Sequence, residues 1–141
     1  MAICVLKGGV IFFSDLVRAL HNQNLELDFV RLSSYGKSSA SSKHVIFNKD
    51  VEVDIRGKHV LIVEDVVDSG HSMRFLLDQF AARQARSLRL AALVDKRERR
   101  QADVKVDFAG FVLNKGFIVG YGLDYAERYR TLPGVCEIIP E

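Results

Sequence analysis

At 141 residues, 48% hydrophobic and 27% charged, the chain has the size and composition of one soluble domain around one core. Two prolines and ten glycines exclude a fibrous or low-complexity chain, and the apolar content excludes intrinsic disorder. No apolar stretch approaches the roughly 18 residues that cross a bilayer, and a formal charge of +2 sets up no global field that would demand nucleic acid, so any anion site must be local.

Met1 to Leu6 lacks the basic start and the apolar length of a signal peptide, so a cytoplasmic protein is expected. Ile3 to Leu6 reads as a buried strand, broken by Lys7-Gly8-Gly9. A helix follows, with Phe13, Leu16, Val17 and Leu20 spaced along one apolar face. Leu25 to Leu32 alternates apolar and polar residues as a second strand does. Ser33 to Lys43 is serine-rich, cannot bury a core, and reads as a mobile loop of a length that is more often functional than idle. Val45 to Phe47 and Val51 to Val53 are short extended pieces, and Arg56-Gly57-Lys58 is a turn.

His59 to Val63 is a continuous β-branched run that fits a central strand covered on both faces. A helix with Met73, Leu76, Leu77, Phe80 and Ala81 on one face comes next. Leu88 to Val94 returns as a strand, Asp95 to Lys105 reads as a charged loop, and Phe108 to Leu113 and Phe117 to Tyr121 complete the sheet. Val135 to Ile139 is a further short strand candidate. Strands alternating with helices indicate an α/β sheet with crossovers, and neither a repeat nor a domain boundary interrupts residues 1–141. Cys4 and Cys136 fit no disulfide or metal spacing and read as buried free thiols.

The chemistry concentrates after the central strand. In open α/β sheets ligands sit beyond the carboxyl ends of the strands. Here that edge receives Glu64 and Asp65, then Asp68, and then Ser69-Gly70-His71-Ser72 opens a helix. A glycine that turns backbone amides outward, two hydroxyls and a helix N-terminus make a phosphate cradle. Carboxylates beside such a cradle would repel an anion unless they bind sugar hydroxyls or magnesium. A plain turn with Ser72 as an N-cap explains the serines but not three carboxylates crowded at one strand end. The residues therefore point to a phosphorylated sugar with a metal nearby. Neither G-x-G-x-x-G nor G-x-x-x-x-G-K-[ST] occurs.

The run Val60-Leu61-Ile62-Val63-Glu64-Asp65-Val66-Val67-Asp68-Ser69-Gly70-His71-Ser72 resembles the phosphoribosyl-pyrophosphate motif of type I phosphoribosyltransferases. Val5 to Leu16, Ser33-Ser34-Tyr35-Gly36, Leu93 to Arg97 and Phe117 to Tyr125 are similar to elements of one branch, the hypoxanthine-guanine phosphoribosyltransferases. The resemblance implies a type I phosphoribosyltransferase-like α/β fold: a mainly parallel central sheet flanked by helices, with a small reduced hood and a flexible catalytic loop at about 33–50.

The resemblance also implies the reaction, transfer of 5-phosphoribosyl from phosphoribosyl pyrophosphate to hypoxanthine or guanine. By matching position, Glu64 and Asp65 would bind the ribose hydroxyls, directly or through Mg2+. Asp68 would be the general base toward purine N7, and Ser69, Gly70, His71 and Ser72 would bind the 5-phosphate. Lys96 would donate to the purine 6-oxo group, Phe117 would stack on the base, and the Ile118 main chain would meet its edge. Asp124 would hold magnesium, while Lys7 and Arg130 would neutralise pyrophosphate beside Gly8. Ser34 and Tyr35 would belong to the closing loop, and the Leu6–Lys7 peptide bond would be cis.

His71 has the alternative of a solvent-facing helix-start residue, and Lys96 that of one more charge on a solvated loop. Arg97 and Arg99 read as bland, and Arg100 is left open. The family also carries a helix and extended segment ahead of its first strand, which this sequence does not show. Ile3 and Val5 are therefore expected to lack cover, with lower stability or reliance on a subunit interface. A homo-oligomer, dimer or tetramer, is expected, with no nucleic-acid or membrane partner. The alternatives in function are a regulatory module that binds phosphoribosyl pyrophosphate without turnover, and an enzyme specific for xanthine or uracil.

Overall fold

The computed structural model describes residues 1–35 and 44–139. Six strands, β1 (Ala2–Leu6), β2 (Leu27–Tyr35), β3 (His44–Lys49), β4 (His59–Val67), β5 (Ser87–Lys96) and β6 (Phe108–Leu113), form one sheet in the order β3-β2-β1-β4-β5-β6. All neighbours are parallel except β3, which runs antiparallel to β2 as a hairpin arm. Helix α1 (Val10–Ala19) follows β1, and α2 (His71–Ala82) follows β4.

Strand alternation sorts the core into two layers. Ala2 and Cys4 of β1 and Val63 of β4 pack with Phe13 of α1 and Ala91. Ile3, Val5, Val60 and Ile62 point the other way, to Met73, Leu76 and Phe80 of α2 and to Leu90. The central strands are thus covered on both faces, which is why β1 and β4 read as continuous apolar runs. Ile3 is fully buried and Val5 nearly so, against the expectation that they lack cover. Exposed large apolar residues of the sheet cluster instead on the edge strand β6, at Phe108, Phe111 and Val112, with Leu27 and Tyr35 on β2 and Ile46 on β3.

Chain direction across the sheet reverses between β1 and β4, so their carboxyl ends flank a crevice at a topological switch point. A second, two-stranded antiparallel sheet of β7 (Ile118–Val119) and β8 (Cys136–Glu137) stands beside the end of β5. Among the described residues no helix is long and apolar enough to cross a membrane.

Several expectations give way. Ser33 to Tyr35 are strand, paired with Ile46, Val45 and His44, because a backbone ladder accepts Ser and Tyr where no core face is needed. Of the loop expected at about 33–50, Ser33 to Tyr35 and His44–Lys49 are strand, and residues 36–43 lie outside the described residues. Val51 to Val53 form no strand, since the buried Asp28 carboxylate accepts from the Glu52 and Val53 amides at 2.7 and 3.0 Å and holds them as a loop. Phe117 to Tyr121 do not join the main sheet, and only Ile118–Val119 are strand, paired with the tail. Glu64 and Asp65 lie within β4 rather than beyond it, and Asp95 is a buried strand residue rather than part of a loop. Ala81 is exposed at the end of α2, and Cys136 is exposed while Cys4 is buried.

Candidate active site

The crevice is built by close backbone approach. The Leu6–Lys7 peptide bond is cis, as the resemblance implies. At Gly8 a Cβ would stand 1.6 Å from Asp65 Oδ2, and at Gly122, with φ +101°, it would stand 2.1 Å from the Gly8 carbonyl oxygen. Three chain segments therefore meet with no room for side chains between them, and only glycine supplies that.

Asp65 faces this junction, and Glu64 beside it lines the cleft toward Asp68. The Asp65 amide donates to Glu64 Oε1 at 3.0 Å, and the Val66 amide donates to Asp65 Oδ1 at 2.7 Å. Desolvation and the adjacent Asp65 carboxylate push the Glu64 carboxyl well above its usual range. Burial, then the same two carboxylates, push the Cys4 thiol up to about 12, which keeps it inert beneath the site. Such a carboxylate pair favours hydroxyl donors or a cation. Among the described residues no three-ligand His/Cys/Asp/Glu cage exists. This donor set fits magnesium, which binds through one or two carboxylates together with substrate phosphates and water.

The cradle lies one turn further on. Gly70 caps α2 in the left-handed region at φ +86°, with no side chain capping the helix, and no acidic residue occupies the first turn. The free amides of that turn thus face outward with partial positive charge. Ser72 sits inside the helix rather than at its cap. Glu64, Asp68, Ser69, Gly70 and Ser72 line a cleft of about 160 Å³, and the buried Asp68 Oδ1 has no hydrogen-bond partner. A buried acceptor left without a protein partner calls for one, from a ligand or from water. The segment after β5 braces the loop from behind: the Gln101 and Ala102 amides donate to the Ser69 carbonyl at 2.9 and 3.0 Å. The His71 ring turns to Gln101 Oε1 at 2.9 Å, so only the His71 backbone is left for the cradle.

Lys7 and Arg130, far apart in sequence, come together on one acid. Lys7 Nζ donates to Glu127 Oε2 at 2.8 Å, and Arg130 Nη2 donates to Glu127 Oε1 at 3.1 Å and forms an ion pair with Asp124 Oδ1 at 3.0 Å. The Lys7 hydrogen bond holds the Glu127 carboxyl below its usual range. Asp124 also accepts from the Glu127 amide at 2.8 Å, so Arg130 and this amide already occupy the carboxylate assigned to magnesium. Arg130 Nε is buried without a partner.

On the base side, Lys96 ends β5 in register with Leu113, and no side chain among the described residues pairs with its ammonium. Phe117 is exposed and packs in a T-shaped contact with Tyr125, ring centroids 5.5 Å apart. Ile118 lies in β7, half-buried. Ser34 and Tyr35 sit exposed at the end of β2 and bond to none of the other site residues. Sequence reasoning missed Glu127, Gly122 and the buried Asp95, and it left Arg100 open. Gly120-Tyr121-Gly122 was the one available signal, as two glycines around a tyrosine mark a tight turn.

A parallel sheet with carboxylates, a glycine-turned helix start and paired cations at its switch point defines a type I phosphoribosyltransferase, and the phosphoribosyl transferase domain model matches residues 1–126. The chain belongs to the hypoxanthine-guanine phosphoribosyltransferase family. It is 45% identical to the hypoxanthine-guanine phosphoribosyltransferase of Bacillus subtilis (strain 168), over 99% of this chain and 77% of that protein. It is 43% identical to the hypoxanthine phosphoribosyltransferase of Salmonella typhimurium, over 96% and 75%. A crystal structure of a hypoxanthine-guanine phosphoribosyltransferase from Bacillus anthracis superposes with a TM-score of 0.91 at 41% identity, covering 98% of this chain and 81% of that one.

Proposed function

We propose that this enzyme transfers the 5-phosphoribosyl group of phosphoribosyl pyrophosphate to hypoxanthine or guanine, giving IMP or GMP and pyrophosphate. In the reaction the bond from ribose C1 to the pyrophosphate oxygen breaks, C1 bonds to the purine N9, and the N7 proton leaves. The observation that carries this reading is the uncapped start of α2 at Gly70 beside Glu64–Asp65, with Asp68 Oδ1 buried and unpaired.

The amides and hydroxyls of Ser69 to Ser72 bind the 5-phosphate. Glu64 and Asp65 bind the ribose hydroxyls and hold Mg2+, which neutralises the departing diphosphate when bound. Lys7 and Arg130 exchange Glu127 for that diphosphate, which meets the backbone at Gly8. Asp124, held by Arg130 and the Glu127 amide, would be a ligand for Mg2+ only if freed from Arg130. The Asp68 carboxylate accepts the N7 proton. Lys96 donates to the 6-oxo group, Phe117 stacks on the ring, and the Ile118 backbone reads the base edge. Ser34 and Tyr35, at the mouth of the β2–β3 hairpin, close over the donor and keep water from the cationic sugar. Residues 1–141 act as one catalytic domain, in the cytoplasm and as a dimer or tetramer.

A panel assay tests the reading: purified protein, Mg2+ and phosphoribosyl pyrophosphate with each of hypoxanthine, guanine, xanthine, adenine and uracil. Nucleotide from hypoxanthine or guanine is expected. Product from adenine or uracil alone overturns the base assignment, and no product from any base overturns the enzyme reading.

A further inference from the structure

The guanidinium of Arg100 sits where the ladder between β4 and β5 runs out. The two strands pair as far as Val67 and Asp95. Beyond that, β4 turns into the cradle and β5 into Lys96 and the segment that follows. β5 stays paired with β6 as far as Lys96, but past Val67 β4 has no further register partner, and a partly buried strand end needs donors from elsewhere.

Arg100 supplies the missing donors. Its Nε donates to the Asp68 carbonyl at 2.9 Å, its Nη2 to the Val67 carbonyl at 3.0 Å, and its Nη1 to the Val104 carbonyl at 3.1 Å. Nη2 also pairs with the Asp95 carboxylate and lies 3.4 Å from the Lys96 carbonyl oxygen. Asp95, 3% exposed, is held on its other oxygen by Arg97 Nε at 2.9 Å. The stem of Arg100 runs along Gly70, where a Cβ would stand 3.1 Å from Arg100 Cδ. One side chain therefore touches the backbone that forms the cradle and the backbone that carries Lys96.

We infer that Arg100 is a positioning residue that sets the spacing between the sugar-phosphate cradle and the Lys96 base contact, so that one nucleotide fills both. This rests on the function proposed above. Arginine fits the task because its planar fork presents five donors. Lysine at this position could keep Asp95 paired, but its single ammonium could not reach the carbonyls of both strands. A ligand spanning two half-sites gains its advantage only when their separation is held, and a misplacement of about 1 Å can cost roughly 10²-fold in rate.

The test compares IMP, which spans both half-sites, with ribose 5-phosphate, which fills the cradle alone, by calorimetry on wild type, Arg100→Lys and Arg100→Met. Arg100→Lys is expected to weaken IMP by about tenfold more than ribose 5-phosphate, with kcat reduced as well. Loss of fold would lower the number of competent sites without changing the ratio of the two dissociation constants. Arg100→Met leaves Asp95 without this partner, and if it does not fold, Arg100→Lys decides alone. Equal weakening of both ligands, or no change in either, overturns the inference. A wild-type protein that binds ribose 5-phosphate but not IMP overturns the proposed function, and this inference with it.

Discussion

The two halves of the carboxyl edge are built differently. On the donor side, Asp65 to Ser72 runs from a central strand into a helix whose Met73, Leu76 and Phe80 are buried in the main core. On the base side, residues 114–139 contain two strands of two residues each, left-handed backbone at Tyr121, Ala126, Glu127 and Tyr129, and exposed Phe117, Tyr125 and Tyr129. Polar links hold this region: Arg130 Nη1 to the Gly122 carbonyl at 2.8 Å, Tyr121 to Asp15 of α1, and Glu127 to Lys7. The donor side is fixed by the main core, and the base side by a smaller apolar cluster around Leu123, Ile118 and Val135 together with these few polar links. Substitutions on the donor side should therefore cost stability or the chemical step, and those on the base side should cost substrate affinity with little change in stability.

The sharpest break in that contrast comes at the reacting atoms. Asp68→Asn keeps the shape and removes the base, so kcat should fall by about 10²–10⁴-fold while the thermal midpoint stays put. An unchanged rate takes Asp68 out of the proton transfer. Phe80→Ala, in the donor-side core, should cost about 3–5 kcal/mol in a urea titration. Phe117→Ala should cost less than about 1 kcal/mol in the same titration yet raise KM for the base several-fold, since it deletes an exposed ring in T-shaped contact with Tyr125. Equal losses of stability for the two phenylalanines would erase the distinction.

A smaller effect separates the cations from their internal acid. Glu127→Gln leaves Lys7 and Arg130 without their shared carboxylate, and affinity for pyrophosphate should rise several-fold. Weaker binding would mean that Glu127 orients the cations rather than competing for them. The smallest concerns Asp50, which Arg83 grips at 2.7 Å on both oxygens and thereby holds below its usual pKa. A carboxyl depressed on folding adds stability above its unfolded pKa of about 3.9, and that stability is lost as pH falls through the lower folded value. Both side chains are partly exposed, so Arg83→Met should cost about 1 kcal/mol or less from the ion pair at neutral pH, with the difference narrowing in acid denaturation below about pH 4. A difference that widened there would contradict the assignment.

How far the sequence reached follows from the range of the forces involved. The apolar run of β4, the spacing of Met73, Leu76 and Phe80, and Asp68-Ser69-Gly70 all act locally, and each falls where the residues place it. Strand ends were harder to read, because Glu64 to Val67 and Asp95 become strand through pairing with neighbours that no local pattern announces. Val51 to Val53 lost their strand to the Asp28 carboxylate, more than twenty residues away. Glu127 with Lys7, 120 residues apart, and Arg100 with Asp68, 32 apart, are contacts that only the closed fold creates. The cradle was thus legible as a motif, while its bracing and the pairing of its cations were not.

The most direct measurement is a titration of the purified protein with phosphoribosyl pyrophosphate in excess Mg2+, run beside Gly70→Ala. Gly70 holds φ +86° at the start of α2 with Arg100 packed against it, so a Cβ there strains the turn that aims the amides. The expected result is one donor bound per chain in wild type and binding weakened at least about tenfold in the variant. No heat of binding in wild type, or equal affinity in the two proteins, would contradict a donor held by the start of α2.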